Sequence, residues 1–360
     1  MLHGAIIGIG KIAQTAHLPA FRDGQICDRA AIVAAVDPSK ESWEIAAKLF
    51  PELRFYETTQ QLFNEEKIDF IDICAPPKFH GELIEIGIEQ GVHILCEKPF
   101  STSLQEADHI TALLKKEGQL VFMPCHQYRY FDVWQLFKAF LDDDIAGLEC
   151  FLQFNVFRLR ADQGLSSWNP SWRTDPCISG GGILVDIGIH YLYLSLWMLG
   201  MPLNLTAAVH RIRHSKYSVE DTAIVLLEFE RGVAQINLTW GADRRVNNAC
   251  LVSQNGSVTY DGNSLVRYRH EEKESLPVLD TSNKAYYVSL YVSLIDEFLQ
   301  RVHRRQGSAQ WIDEAYQSIA VLQACYLSAE LKRAICLGSD DFNFSSLDWP
   351  PSETCVRYRH

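Results

Sequence analysis

Four short clusters in this 360-residue chain bring together residue types that can do chemistry. Gly8-Ile9-Gly10-Lys11-Ile12-Ala13 has the spacing G-x-G-x-x-A: the first glycine makes a tight turn, the second admits a pyrophosphate to the backbone, and the small third residue lets helix and strand pack. Asp37 closes the next apolar run, somewhat further on than the usual ~20 residues, where a carboxylate accepts from a ribose 2′-hydroxyl and repels a 2′-phosphate. That favours NAD, while the adjacent Ser39 and Lys40 leave NADP open. A P-loop is excluded, since Lys11 is followed by Ile12 rather than Ser or Thr. Ala75-Pro76 with His80, and Glu97-Lys98-Pro99, follow two further apolar runs. Gly180-Gly181-Gly182 opens a helical stretch carrying Asp186 and His190, four apart and so on one helix face.

These clusters need elements to hold them. From Met1 to about Pro124, short apolar runs alternate with amphipathic stretches: strands at 5–8, 31–36, 54–56, 70–74, 93–96 and 120–123, helices at 40–50, 79–90 and 104–116. That alternation predicts a parallel sheet covered by helices, with the size of a dinucleotide-binding unit. Ligands in such a sheet bind beyond the carboxyl ends of the strands, which places Lys98 where a nicotinamide would lie. After Pro124 the pattern predicts a helix at 133–140, a strand at 149–160, a loop of Trp, Pro, Ser and Gly, a helix at 183–199 and then strands from 203 to 269. Helices at 286–303 and 312–335 close the chain. The fold class is α/β: an N-terminal Rossmann domain at 1–124, an α+β domain with a large, mostly antiparallel sheet at 125–340, and a tail at 341–360.

Composition limits the partners. The chain is 47% hydrophobic and 22% charged, with a net charge of −12, so no basic surface for nucleic acid or an anionic membrane is expected. The ten cysteines lack C-x-x-C pairs, which argues against zinc and disulfides and for a reducing compartment. No leader pattern and no long uninterrupted apolar run is read, and the expected location is cytoplasmic. His210 and His214 have helical metal spacing but fall in an expected strand, so no metal is assigned.

The G-x-G-x-x-A turn, the E-K-P and the G-G-G-x-L-x-D-x-G-x-H helix, in that order, together resemble the Gfo/Idh/MocA family (glucose–fructose oxidoreductase, inositol dehydrogenase and rhizopine catabolism proteins). The resemblance covers nearly the whole chain. It implies a two-domain NAD(P)-dependent oxidoreductase acting on a secondary alcohol or ketone of a sugar, cyclitol or derivative, with Lys98, Asp186 and His190 as its catalytic set. An imidazole near neutrality suits removal of the hydroxyl proton, Lys98 stabilises the developing alkoxide, Asp186 holds a neighbouring hydroxyl or orients the imidazole, and Glu97 positions Lys98.

The cofactor set is Gly8, Gly10, Lys11, Ile12, Ala13, Asp37, Ala75, Pro76, His80, Glu97 and Lys98. The substrate set is Lys98, Arg129, Trp172, Arg173, Asp186, His190 and Tyr193, with Tyr128, Tyr130 and Trp168 as further pocket aromatics. Tyr193 stands where many members of that family carry an acid, and the loss of a carboxylate there bears on substrate identity. Two alternatives remain at this level: a glycosidase using NAD transiently, and a non-catalytic NAD-binding regulator. A homodimer or homotetramer through the antiparallel sheet is expected.

Overall fold

A computed structural model describes residues 1–143, 149–269 and 272–337; the expected tail at 341–360 lies outside them. The chain folds into two compact units. The first comprises Met1–Gln127, Gln163–Arg173 and Tyr287–Tyr316; the second comprises Tyr128–Asp162, Thr174–Tyr286 and the chain from Gln317.

In order, the elements are β1 (Leu2–Ile7), α1 (Leu18–Phe21), β2 (Ala30–Val36), α2 (Lys40–Leu49), β3 (Arg54–Tyr56), α3 (Thr59–Glu65), β4 (Phe70–Ile73) and α4 (His80–Glu89). Next come β5 (His93–Cys96), α5 (Leu104–Lys116), β6 (Phe122–Pro124), α6 (Asp132–Asp143), β7 (Cys150–Phe157), α7 (Pro176–Ser179) and α8 (Ile189–Leu199). Then follow β8 (Asn204–His210), β9 (Thr222–Phe229), β10 (Gly232–Thr239), β11 (Val246–Ser253), β12 (Gly256–Tyr260), β13 (Ser264–Arg269) and β14 (Glu272–Pro277). The last are α9 (Tyr287–Arg304), α10 (Ala309–Leu331) and β15 (Ile335–Cys336).

In the first unit, six parallel strands pair in the order β3-β2-β1-β4-β5-β6, the arrangement of a dinucleotide-binding sheet. Parallel strands covered on both faces must be apolar throughout, and Ala5, Ile6, Phe70, Ile71, Ile73, Ile94 and Leu95 are at most 1% exposed. Three helices start at side-chain caps: Ser39, Thr58 and Ser103 accept from the backbone N–H of Ser42, Gln61 and Glu106. The helix after the glycine turn opens as a π-helical turn, Ala13–His17, and His17 is fully buried there.

The second unit holds nine strands in the order β14-β13-β12-β11-β7-β10-β9-β8-β15, antiparallel except for β7 with β10. Alternate residues of β7 and β9 face the core. Trp134 of α6 packs edge-on against Phe154 at 5.4 Å and Tyr191 at 6.1 Å. A second π-helical turn, Leu184–Gly188, precedes α8.

The helical stretch Pro176–Leu199 has the length and mean hydropathy (1.5) of a membrane-crossing helix, although Asp186 and His190 interrupt its apolar run. Because 78% of its most apolar window is buried inside the protein, it is a core helix. The strand expected to reach residue 214 ends at His210, because the Asp221 carboxylate accepts the N–H groups of Ile212, Arg213 and His214 at 2.8, 2.8 and 2.7 Å and turns the chain. His210 and His214 therefore do not share a strand.

Candidate functional site

The first unit contains a cavity of about 340 Å³ at the carboxyl ends of its strands, lined by Gly8, Gly10, Lys11, Ile12, Asp37, Ala75 and Pro76 among others. Gly8 has φ +92°, and a Cβ there would lie 2.7 Å from the Ala75 nitrogen, so only glycine lets β1 end against β4. A Cβ on Gly10, by contrast, would meet no protein atom within 4 Å: the missing side chain leaves open space for an approaching ligand. Ala13 is fully buried beneath the turn, as the third position of the motif requires.

Asp37 is held by its backbone surroundings. Its carboxylate accepts from the N–H groups of Ile9 and Ser39, both at 2.8 Å. Burial raises its pKa above the ordinary carboxylate value, with these two bonds working against the rise.

Trp172 and Arg173, assigned to substrate, line the same cavity as the glycine turn, together with Trp168. Residues 163–173 pack within the first unit because Ser39 Oγ donates to the Ser167 carbonyl at 3.1 Å, Ser42 and Ser167 share a hydroxyl bond at 2.9 Å, and Trp168 meets Phe79 edge-on. The Arg173 guanidinium lies 4.1 Å over the Trp172 ring.

Lys98 is half-buried at the end of β5 and is not among the residues lining that cavity. Neither is His80: it is fully buried, with ring nitrogens 2.7 Å from the carbonyl oxygens of Pro99 and Ala75. As the first residue of α4, its side chain folds back over the preceding turn and ties the E-K-P segment to the end of β4.

Beneath Glu97 lies a polar array that sequence reading missed. His17 Nδ1 donates to Asp72 at 2.8 Å, and its Nε2 donates to Glu97 Oε1 at 3.2 Å. Tyr291 of α9 also donates to Glu97 Oε1. Burial pulls the His17 pKa down, but the charge and hydrogen bond of Asp72 and then those of Glu97 outweigh it and push it up to about 9. Burial likewise works to raise Glu97, yet His17, Lys98 and Tyr291 hold it below the usual carboxylate value. The signal was Asp72 itself: a carboxylate inside the fully buried strand Phe70-Ile71-Asp72-Ile73 requires a partner. His17 also approaches Cys74 and Cys125 closely enough for metal ligation, but its two ring nitrogens are engaged by the carboxylates.

In the second unit the triple glycine has a packing cause. A Cβ on Gly182 would lie 2.0 Å from the Glu220 carbonyl oxygen. Its absence lets the buried Glu220 carboxylate accept from the N–H groups of Gly182 and Leu184 at 3.0 and 3.1 Å and from Tyr326 Oη at 2.8 Å. Burial raises the Glu220 pKa despite these bonds. Glu220 thus clamps the start of the segment that carries Asp186, half-buried in the π turn, and His190 in α8.

His190 is 5% exposed and its ring stacks on Tyr128, centroids 3.9 Å apart and planes 8° apart. Its Nδ1 lies 2.9 Å from Tyr193 Oη, which accepts from the Tyr128 N–H at 3.0 Å. Tyr193, expected at the substrate, is 2% exposed and lies beside His190, three residues on along α8 and on the same face. Arg129 is also buried, its guanidinium 5.4 Å over the Trp197 ring.

Residues 2–124 match the model of an oxidoreductase family with an NAD-binding Rossmann fold, and residues 153–259 match the GFO/IDH/MocA C-terminal domain. The chain is 30% identical over 233 residues to D-apiose dehydrogenase of Paraburkholderia graminis, covering 65% of this chain and 59% of that protein. It is 25% identical over 248 residues to D-glucoside 3-dehydrogenase of Escherichia coli, covering 64% and 68%. The match thus spans less than two thirds of the apiose enzyme's length. Myo-inositol 2-dehydrogenase of Lactobacillus plantarum shares the fold, with a TM-score of 0.77 at 21% identity over 93% of this chain and 99% of that one.

Proposed function

The chain belongs to the GFO/IDH/MocA oxidoreductase family, and from that premise we propose that it is an NAD-dependent dehydrogenase acting on a secondary alcohol of a sugar, cyclitol or sugar derivative. The observation that carries the cofactor side is the cavity at Gly8, Gly10 and Asp37, with open space at the Gly10 Cβ position. When bound, the nicotinamide accepts or returns the hydride. The turn amides and the N-terminus of the following helix hold the pyrophosphate without a basic patch, consistent with the acidic chain. Asp37 takes the ribose hydroxyl, and Trp168, Trp172 and Arg173 close over the cofactor rather than the substrate.

Lys98 stabilises the alkoxide that forms as the carbinol proton is lost. His190 takes that proton. Tyr193 on Nδ1 and the Tyr128 ring hold the imidazole; in this reading Nδ1–H donates to Tyr193 Oη and Nε2 is the base. Asp186 holds a neighbouring hydroxyl or orients the ring. The names of the relatives support a polyhydroxylated substrate: apiose, glucosides and inositol are the compounds to try first.

The open face of the nine-stranded sheet carries exposed Ile224, Leu226 and Val252 beside a row of amides, Asn155, Asn237 and Asn248, and supports a homo-oligomer through it. Light scattering of Leu226→Glu against the unaltered protein tests that part; an unchanged mass excludes this face.

The test of the activity is NADH absorbance with a panel of pentoses, glucosides and cyclitols. Lys98→Ala and His190→Ala are expected to abolish turnover while NAD affinity stays within about threefold. Absence of NAD binding, or turnover surviving both substitutions, refutes the reading.

A further inference from the structure

We propose that His17 is a positioning residue for Lys98, acting through Glu97, with Tyr291 as its partner in that role. This rests on the reading of Lys98 given above. Glu97 Oε1 accepts from His17 Nε2 at 3.2 Å and from the Tyr291 hydroxyl, while Oε2 accepts from the backbone N–H of Lys98 at 3.2 Å. The amide from which the Lys98 side chain springs is thus tied to a carboxylate that is itself held from two other elements. His17 is held in turn by Asp72 at 2.8 Å, and the Tyr291 ring lies 4.0 Å from the imidazole.

Every member of the array is buried. His17, Asp72 and Tyr291 are 0% exposed and Glu97 is 7% exposed. Two carboxylates, one imidazolium and the adjacent ammonium balance in charge, so the group forms a closed unit that tolerates burial. Because low dielectric magnifies each interaction, loss of any one contact frees Glu97 to reorient, and Lys98 moves with it. The four segments involved are remote in sequence: the π turn after the glycine motif, β4, the end of β5, and α9.

The test uses the full-length protein saturated with NAD. Reductive 13C-methylation of its lysines gives a resonance that disappears in Lys98→Ala and so reports on Lys98. His17→Gln and Tyr291→Phe are each expected to shift that resonance and move its titration midpoint by about half a pH unit or more. On a substrate found by the panel, each is expected to lower kcat about tenfold or more, leaving the NAD Kd and the KM within about twofold.

A Lys98 resonance that superimposes on that of the unaltered protein in both variants overturns the proposal whatever turnover does. So does stoichiometric zinc in the purified protein, because the imidazole nitrogens would then be ligands rather than donors to carboxylates. If His17→Gln does not fold, Tyr291→Phe, which removes one hydroxyl and keeps the ring, decides alone. Should no substrate be found, the functional reading fails while the resonance still decides the role of His17.

Discussion

Replacing His17 by Gln tests the buried array through the pH dependence of stability. The imidazole is fully buried, and its pKa is pushed up to about 9 from an ordinary 6.5. A folded-state pKa above the unfolded one adds stability that is complete below pH 6.5 and is lost as pH rises through about 9. At 1.36 kcal/mol per pKa unit, the contribution is about 3 kcal/mol at pH 6 and less than about 0.5 kcal/mol at pH 9. Other groups titrate in or near that window: burial raises the pKa of the Cys74, Cys96 and Cys125 thiols, so they ionise more readily in the unfolded chain. Those groups contribute equally to both proteins, so the difference between wild type and variant isolates His17. Urea unfolding at pH 6, 7.5 and 9 should give a stability gap that narrows steadily with pH. A gap that stays constant, or widens toward pH 9, refutes a charged imidazole at this position.

Three further outcomes follow from the same geometry. Asp37→Ala removes the carboxylate that accepts from Ile9 and Ser39, and is expected to raise the NADP-to-NAD preference about tenfold or more, read by fluorescence titration with both cofactors; an unchanged ratio assigns the ribose to another residue. Gly182→Ala and Gly10→Ala should separate packing from binding. The first clashes with Glu220 and is expected to cost about 3 kcal/mol or more, whereas the second leaves thermal stability nearly unchanged and weakens NAD binding about tenfold, so equal melting shifts contradict the assignment. Trp168→Ala should speed NAD release about tenfold in stopped flow with little effect on melting, and an unaltered off-rate removes residues 163–173 from the cofactor site.

Sequence patterns revealed the features that local chemistry imposes. The glycine turn, Asp37 and the buried strands of the first sheet follow from spacing and apolar runs, because a parallel strand covered on both faces leaves little freedom in composition. What stayed hidden depends on tertiary partners. The π turns at Ala13–His17 and Leu184–Gly188 have the composition of ordinary helix, and only packing shows the wider turn that buries His17. Strand β14, with Glu272, Lys273 and Glu274, is too polar to announce itself and forms because β13 offers an edge. The burial of Tyr193 was not legible either, because a position along the helix can be read from sequence and the depth of its face cannot. Trp172 and Arg173 stand in a loop whose return to the first unit rests on Ser39, Ser42 and Phe79, residues far earlier in the chain.

The three-segment makeup of the first unit bears on how this architecture can be recombined. Helix α9 supplies Phe298 against Phe70 and Asp296 against Arg29, and Ser308 Oγ accepts the Phe122 N–H. A fragment ending at Pro124 would leave Phe70 without that cover and Glu97 without the Tyr291 hydroxyl. The Rossmann half of this chain is therefore not a detachable cassette. Exchanging it between relatives, or expressing it by itself, preserves the cofactor site only if residues 287–316 travel with it.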